Sequence, residues 1–163
     1  MAGLISTPQQ TTQQPAQQAD NKISNPILQK IQDQIEQKVP ADLKKDYLAV
    51  VVAGMKVMFS PETSNMMMDR LKASDDVVKN VSSGIADLLA LLYQESGQKM
   101  SVPAAMFAAI VLMCQALDVA EKTMGIEITP DLASACAEET AKASMAKFGI
   151  DDAAVENAIQ QQG

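Results

Sequence analysis

Residues 100–117 read MSVPAAMFAAIVLMCQAL, a run with no charge between Lys99 and Asp118. Its length is at the lower bound for a helix that crosses a bilayer. Ser101, Pro103, Gln115 and five alanines make its insertion energy marginal, however. The apolar residues end in a block at Cys114 and cover every side of a helix, as they do in a helix buried at the centre of a bundle. The stretch 102–124 is therefore read as the core helix of the fold.

Working outward, helix starts recur in one form, a small polar residue with proline at or near the first helical position. Asn25-Pro26, Ser60-Pro61, Ser101-Val102-Pro103 and Thr129-Pro130 all have it. The side-chain oxygen caps a free N–H, and proline fits where its missing donor costs nothing. Ser74 before Asp75-Asp76, and Ile150 before Asp151-Asp152, add two starts with acids facing the positive end of the helix dipole. Gly125 and Gly149 suit left-handed stops. The spacing predicts helices near 26–38, 41–59, 61–72, 75–96, 102–124 and 130–148, with a short one near 152–161.

Apolar periodicity supports these spans. Ile27, Leu28, Ile31 and Ile35 form one stripe; Leu43, Tyr47, Val51, Met55 and Met58 form a second. Val78, Val81, Ile85, Leu88 and Leu92 step by three and four along the fourth helix, around a Gly84 that costs about 1 kcal/mol against alanine. Either close approach of a neighbouring helix or a loose spot accounts for that glycine. No strand pair, hairpin turn or long-period repeat is visible. The expected fold is all-α, an irregular bundle of six to seven helices around a central apolar one.

Composition agrees and narrows the chemistry. Three Phe, two Tyr and no Trp stand against eleven Met and abundant Ala, a bias toward helix rather than sheet. At 163 residues and 47% apolar, the chain suffices for one core. Its net charge is −7, concentrated toward the C-terminus, and no basic stripe offsets it. Nucleic-acid binding is not expected.

The chain has no histidine, which removes the commonest general base and metal ligand. Cys114 and Cys136 lack CxxC spacing and read as buried free thiols, requiring no oxidising compartment. Glu138-Glu139 and Asp151-Asp152 are adjacent acids that point to water, unlike a catalytic pair held across a cleft. No phosphate loop, dinucleotide fingerprint or calcium loop occurs. The expectation is a protein that is not an enzyme and takes no cofactor or metal.

Two features invite a functional reading. Met66-Met67-Met68 covers most of a helix circumference; either two face the core and one is exposed, or the cluster is an adaptable interface. The segment 77–117 is expected to form an α-hairpin turning at Gln94–Ser101, its core supplied by Ile85, Leu88, Leu92, Phe107, Ile110 and Val111. That hairpin is either the heart of a bundle or a device that inserts into a membrane when released.

Residues 1–24 are low complexity, with paired glutamines at 9–10, 13–14 and 17–18. They are expected to be a tail, disordered alone or ordered by a partner, ahead of a single helical domain over 25–163. Met1 to Gln10 has neither a basic start nor a long apolar run, so a secretory signal is not expected.

The Gln/Thr/Pro-rich leader from Thr7 to Gln18, the Ala- and Met-rich core without His or Trp, and the ending Gln160-Gln161-Gln162 together resemble small virion-associated proteins of tailed bacteriophages. The resemblance lies in composition over the whole chain. It implies a structural or internal virion protein, of the ejection type found near the portal, with no catalytic residues to carry over. The acidic balance departs from what a protein lying on packaged DNA would gain from.

The expected partners are other proteins, in a homo-oligomer or large assembly, with localisation in a virion or otherwise the cytoplasm. The alternatives are the membrane-active hairpin and an adaptor or chaperone that cradles a helix in a Met-lined groove.

Overall fold

A computed structural model describes residues 22–150. The expected glutamine tail up to residue 21 and the expected short helix near 152–161 lie outside the described residues. What is described is an all-α bundle of six helices with no strand among those residues. They are α1 Pro26–Lys38, α2 Lys44–Phe59, α3 Ser64–Leu71, α4 Val77–Glu95, α5 Val102–Met124 and α6 Pro130–Lys147.

Three of the four expected proline starts are caps. Asn25 accepts from the Ile27 N–H at 2.9 Å, Ser101 from Ala104 at 3.4 Å and Thr129 from Leu132 at 3.1 Å. The fourth differs. Ser60 ends α2, its N–H donating to the Lys56 carbonyl, and its own carbonyl accepts from Thr63 and Ser64. Pro61 therefore sits in a turn, and α3 begins three residues later than its spacing suggests. The Thr63 hydroxyl donates to the Val57 carbonyl, so it closes α2 instead of capping α3.

At the start of α4 the cap is Asp76, which accepts from Lys79 at 3.0 Å. Ser74 instead accepts from the Asp76 N–H and donates to Asn80. Asn80 is buried and donates to the carbonyls of Leu71 and Ser74 at 3.0 and 2.7 Å. One amide thus latches the α3–α4 turn.

α5 is the centre, as its composition requires. It packs against α1, α2, α4 and α6. Thirteen of its 23 residues are buried, from Ala104 to Ala120. Gly125, at φ 66°, ends it in the left-handed conformation that a Cβ disfavours. Asp118 is a carboxylate inside this helix, and its side chain is only 8% exposed. It accepts from the Ser24 N–H and hydroxyl at 3.3 Å and from Lys122 at 2.5 Å. Asn25 donates to Glu121 one turn on. These bonds hold Ile23, which falls within the expected tail, buried against the bundle.

The buried face of α2 is Tyr47, Val50, Gly54 and Met58, rotated from the expected stripe, whose Leu43, Val51 and Met55 are only half-buried. Gly54 explains the rotation. A Cβ there would lie 2.6 Å from Leu112 Cδ1, so the missing side chain lets the α2 backbone approach α5. Gly84 meets nothing within 4 Å and is the loose spot instead.

α4 and α5 do pack together, but α4 makes its most extensive contact with α6. Small buried residues on α6 (Ala133, Cys136, Thr140 and Ser144) permit that approach. Phe148 closes the end of the pair edge-on to Tyr93, with centroids 5.4 Å apart.

The two glycines separate cleanly in unfolding experiments. Gly84→Ala is expected to raise stability by about 0.5–1 kcal/mol through helix propensity alone. Gly54→Val is expected to lower it by about 1–3 kcal/mol through overpacking against Leu112. Urea titrations followed by circular dichroism read both.

Candidate functional site

The short helix α3 leans on α4 and leaves a cavity of about 290 Å³ between them. α4 supplies its floor with Val81, Ile85 and Leu88, and α2 and α5 close the bottom with Met58 and Ala116. Gly84 faces the same space, so the loose spot in α4 is the hollow of the groove. Met66 and Met67 from α3 form one lip and Leu91 from α4 the other.

The lips are unusual in being apolar and wet. Met66 is 67% exposed and Leu91 43%. They are two of the four large apolar side chains that remain exposed among the described residues. Of the methionine triplet, Met67 and Met68 are half-buried against the core and Met66 is exposed. The polar groups lining the groove are engaged elsewhere: Asn80 in its latch and Thr63 on Val57.

Across the groove, Asp87 is a junction of three helices. One carboxylate oxygen meets Arg70 of α3 at 2.7 Å and the other meets Lys147 of α6 at 2.7 Å. All three side chains are partly solvated, so each pair contributes modestly and the gain is chiefly in position. Asp87 ties α3, and with it the methionine lip, to α4.

The expected hairpin residues divide between this groove and the core. Ile85 and Leu88 are buried and line the groove floor. Leu92 and Val111 are buried in the core, and Phe107 and Ile110 are half-buried against it. Leu91, Arg70 and Asp87 were not singled out as site residues by sequence. Asp87 breaks the apolar run Ile85–Tyr93, a signal that an ionic partner was waiting there.

Among the described residues, no group of three or more His, Cys, Asp or Glu side chains is placed to hold a metal ion. Glu138 and Glu139 lie on a solvated face and both pair with Lys142, whose hydrogen bond holds the Glu138 carboxyl below its ordinary range.

Burial pushes the Cys114 thiol up to about 12, with Cys136 adding to the effect. Burial likewise raises Cys136 to about 11, with a contribution from Asp76. Neither is an activated nucleophile. Tyr47 is raised to about 12 by burial first, then by Glu36 and Cys114.

α5 is long and apolar enough by composition to cross a bilayer, but 67% of its most apolar window is buried inside the protein. A scan against protein-family models finds no match to this chain, and searches of curated proteins and of solved structures return none either.

The raised thiols and phenol make alkali destabilising. Each group holds its proton longer when folded, so the associated stability is complete below the unfolded thiol value of 9.0 and is lost as pH rises toward about 12. Denaturation midpoints should fall across that window. Both thiols should resist a disulfide reagent at pH 8 and react fully in guanidinium; fast native reaction would contradict their burial.

Proposed function

We propose that this protein is a non-enzymatic structural or assembly component that works by helix packing inside a larger particle. The α3–α4 groove is the surface through which it accepts a partner helix. The observation that carries the reading is the groove itself, an apolar cavity of about 290 Å³ whose lips, Met66 and Leu91, stay in water in the isolated chain. Exposed apolar surface collected around a hollow is a recurrent mark of a protein-binding site. Methionine suits such a lip, because its unbranched, polarisable side chain adapts to the face it meets.

The absence of histidine supports the non-catalytic part of this reading, as do thiols held in their neutral form. For the particle we propose a phage virion, on the compositional likeness of the glutamine-rich leader and the Ala/Met-rich core to virion-associated proteins. That makes other proteins the partners and the virion the location.

Membrane insertion is the rival that α5 raises. It would require α5 to leave α1, α2, α4 and α6 together, and to carry Gln115 and Asp118 out of their buried positions. Packing within the protein accounts for α5 without a bilayer.

A photo-cross-linking residue at Met66 tests the packing role in the intact native particle. The expected result is one dominant cross-linked product from Met66 and none from the same probe at Lys142, on the solvated face of α6. No product from Met66 would remove the groove as a docking site. The membrane reading has its own assay: the folded chain is expected to leave dye-loaded anionic vesicles intact, and leakage would restore it.

A further inference from the structure

The four exposed large apolar residues fall into two patches of opposite shape. Met66 and Leu91 rim the concave groove, and Leu48 and Val52 stand on the outer face of α2. With half-buried Met55 and Phe59, Leu48 and Val52 follow a 4-3-4 spacing, that of a coiled-coil seam. They make a convex apolar ridge roughly 16 Å long at 1.5 Å per residue.

The two patches also differ in charge. Lys45 and Lys56 lie on the ridge face, two turns before Val52 and one turn after it. Asp69 stands three residues beyond Met66 and Glu95 four beyond Leu91, one turn from each lip, while the one cation lining the groove, Arg70, is paired with Asp87. Lys45, Lys56, Asp69 and Glu95 are all exposed, and none of them is engaged in an ion pair among the described residues.

From this we infer that the occupant of the groove is the α2 ridge of a second copy of this chain, joined head to tail. The inference rests on the packing reading above and names its partner. A ridge matched to a hollow, with lysines matched to carboxylates, is complementary in both shape and sign. Pairing ridge to ridge about a two-fold axis would instead gather four lysines at one seam, an arrangement that repels.

Position rules out self-closure. Val57 and Met58 line the groove from the inner side of α2, nine and ten residues from Leu48, whereas Leu48 and Val52 stand on its exposed face, so one copy cannot seat its own ridge. Each copy therefore offers a ridge to one neighbour and a groove to another. Contacts of this kind propagate into a ring or a filament.

Sedimentation velocity on the full chain and on variants altered in one patch tests the inference. The full chain is expected to exceed monomer size, to grow with concentration and to shrink with added salt. Leu48→Gln with Val52→Gln, and separately Met66→Gln with Leu91→Gln, should each sediment as monomer with unchanged circular dichroism. An equimolar mixture of the two variants should form a 1:1 pair and nothing larger, because one intact ridge meets one intact groove. Lys45→Glu with Lys56→Glu, at exposed positions that leave packing untouched, should also abolish association.

A monomeric full chain at sub-millimolar concentration would overturn the inference. So would a species that stops at two copies, or a mixture that stays monomeric. If Met66 cross-links to a different protein in the native particle while the pure chain stays monomeric, self-association fails and the packing role stands. If Met66 cross-links to nothing, both fail.

Discussion

A helix that is apolar on all sides must be surrounded, and α5 imposes that requirement on everything else. Its backbone bonds are closed within itself, so most of it enters the interior without polar cost. Gln115 and Asp118 are the buried polar side chains of α5, and the Asp118 carboxylate is met by Ser24 from one side and Lys122 from the other. The remaining elements differ in how they come close enough. α2 gives up a side chain at Gly54, and α6 presents alanine, cysteine, threonine and serine. Two of those, Thr140 and Ser144, have buried hydroxyls with no hydrogen-bond partner among the described residues.

What was readable in the sequence follows the range of the forces involved. Caps act over three residues, so Asn25, Ser101 and Thr129 announced their helices directly. Ser60-Pro61 carried the same signature yet ends a helix, because the Thr63 hydroxyl is spent on the carbonyl of Val57. α2 shows the next limit. Its sequence is apolar on more than one face, so periodicity left several rotations open, and the choice was made by Leu112 on a helix more than fifty residues away. The groove was least legible. Its methionine lip was conspicuous as a triplet, but Arg70, Asp87 and Leu91 gain meaning only once α3 is laid against α4.

The same geometry explains why α3 matters more than its eight residues suggest. A helix this short has little stability of its own. It is held by the Asn80 latch at one end and by the Arg70–Asp87 pair along its length. Both tethers originate on α4, so they tie α3 to α4 across the hollow between them. Under the proposed packing role, a surface held in this way spares a partner part of the cost of ordering it.

The position of α5 in the chain has a consequence for how the protein is made. α1 and α2 both pack mainly on α5, yet α5 is fifth in chain order of the six helices among the described residues. Emerging from the ribosome, the first two helices present their apolar faces before the surface that covers them has been synthesised. The last three are contiguous, joined by connections of six and five residues, and close on one another at small entropic cost. The C-terminal half is therefore the template, and the N-terminal half waits for it. During that interval the nascent chain depends on whatever shields exposed helices in its cell.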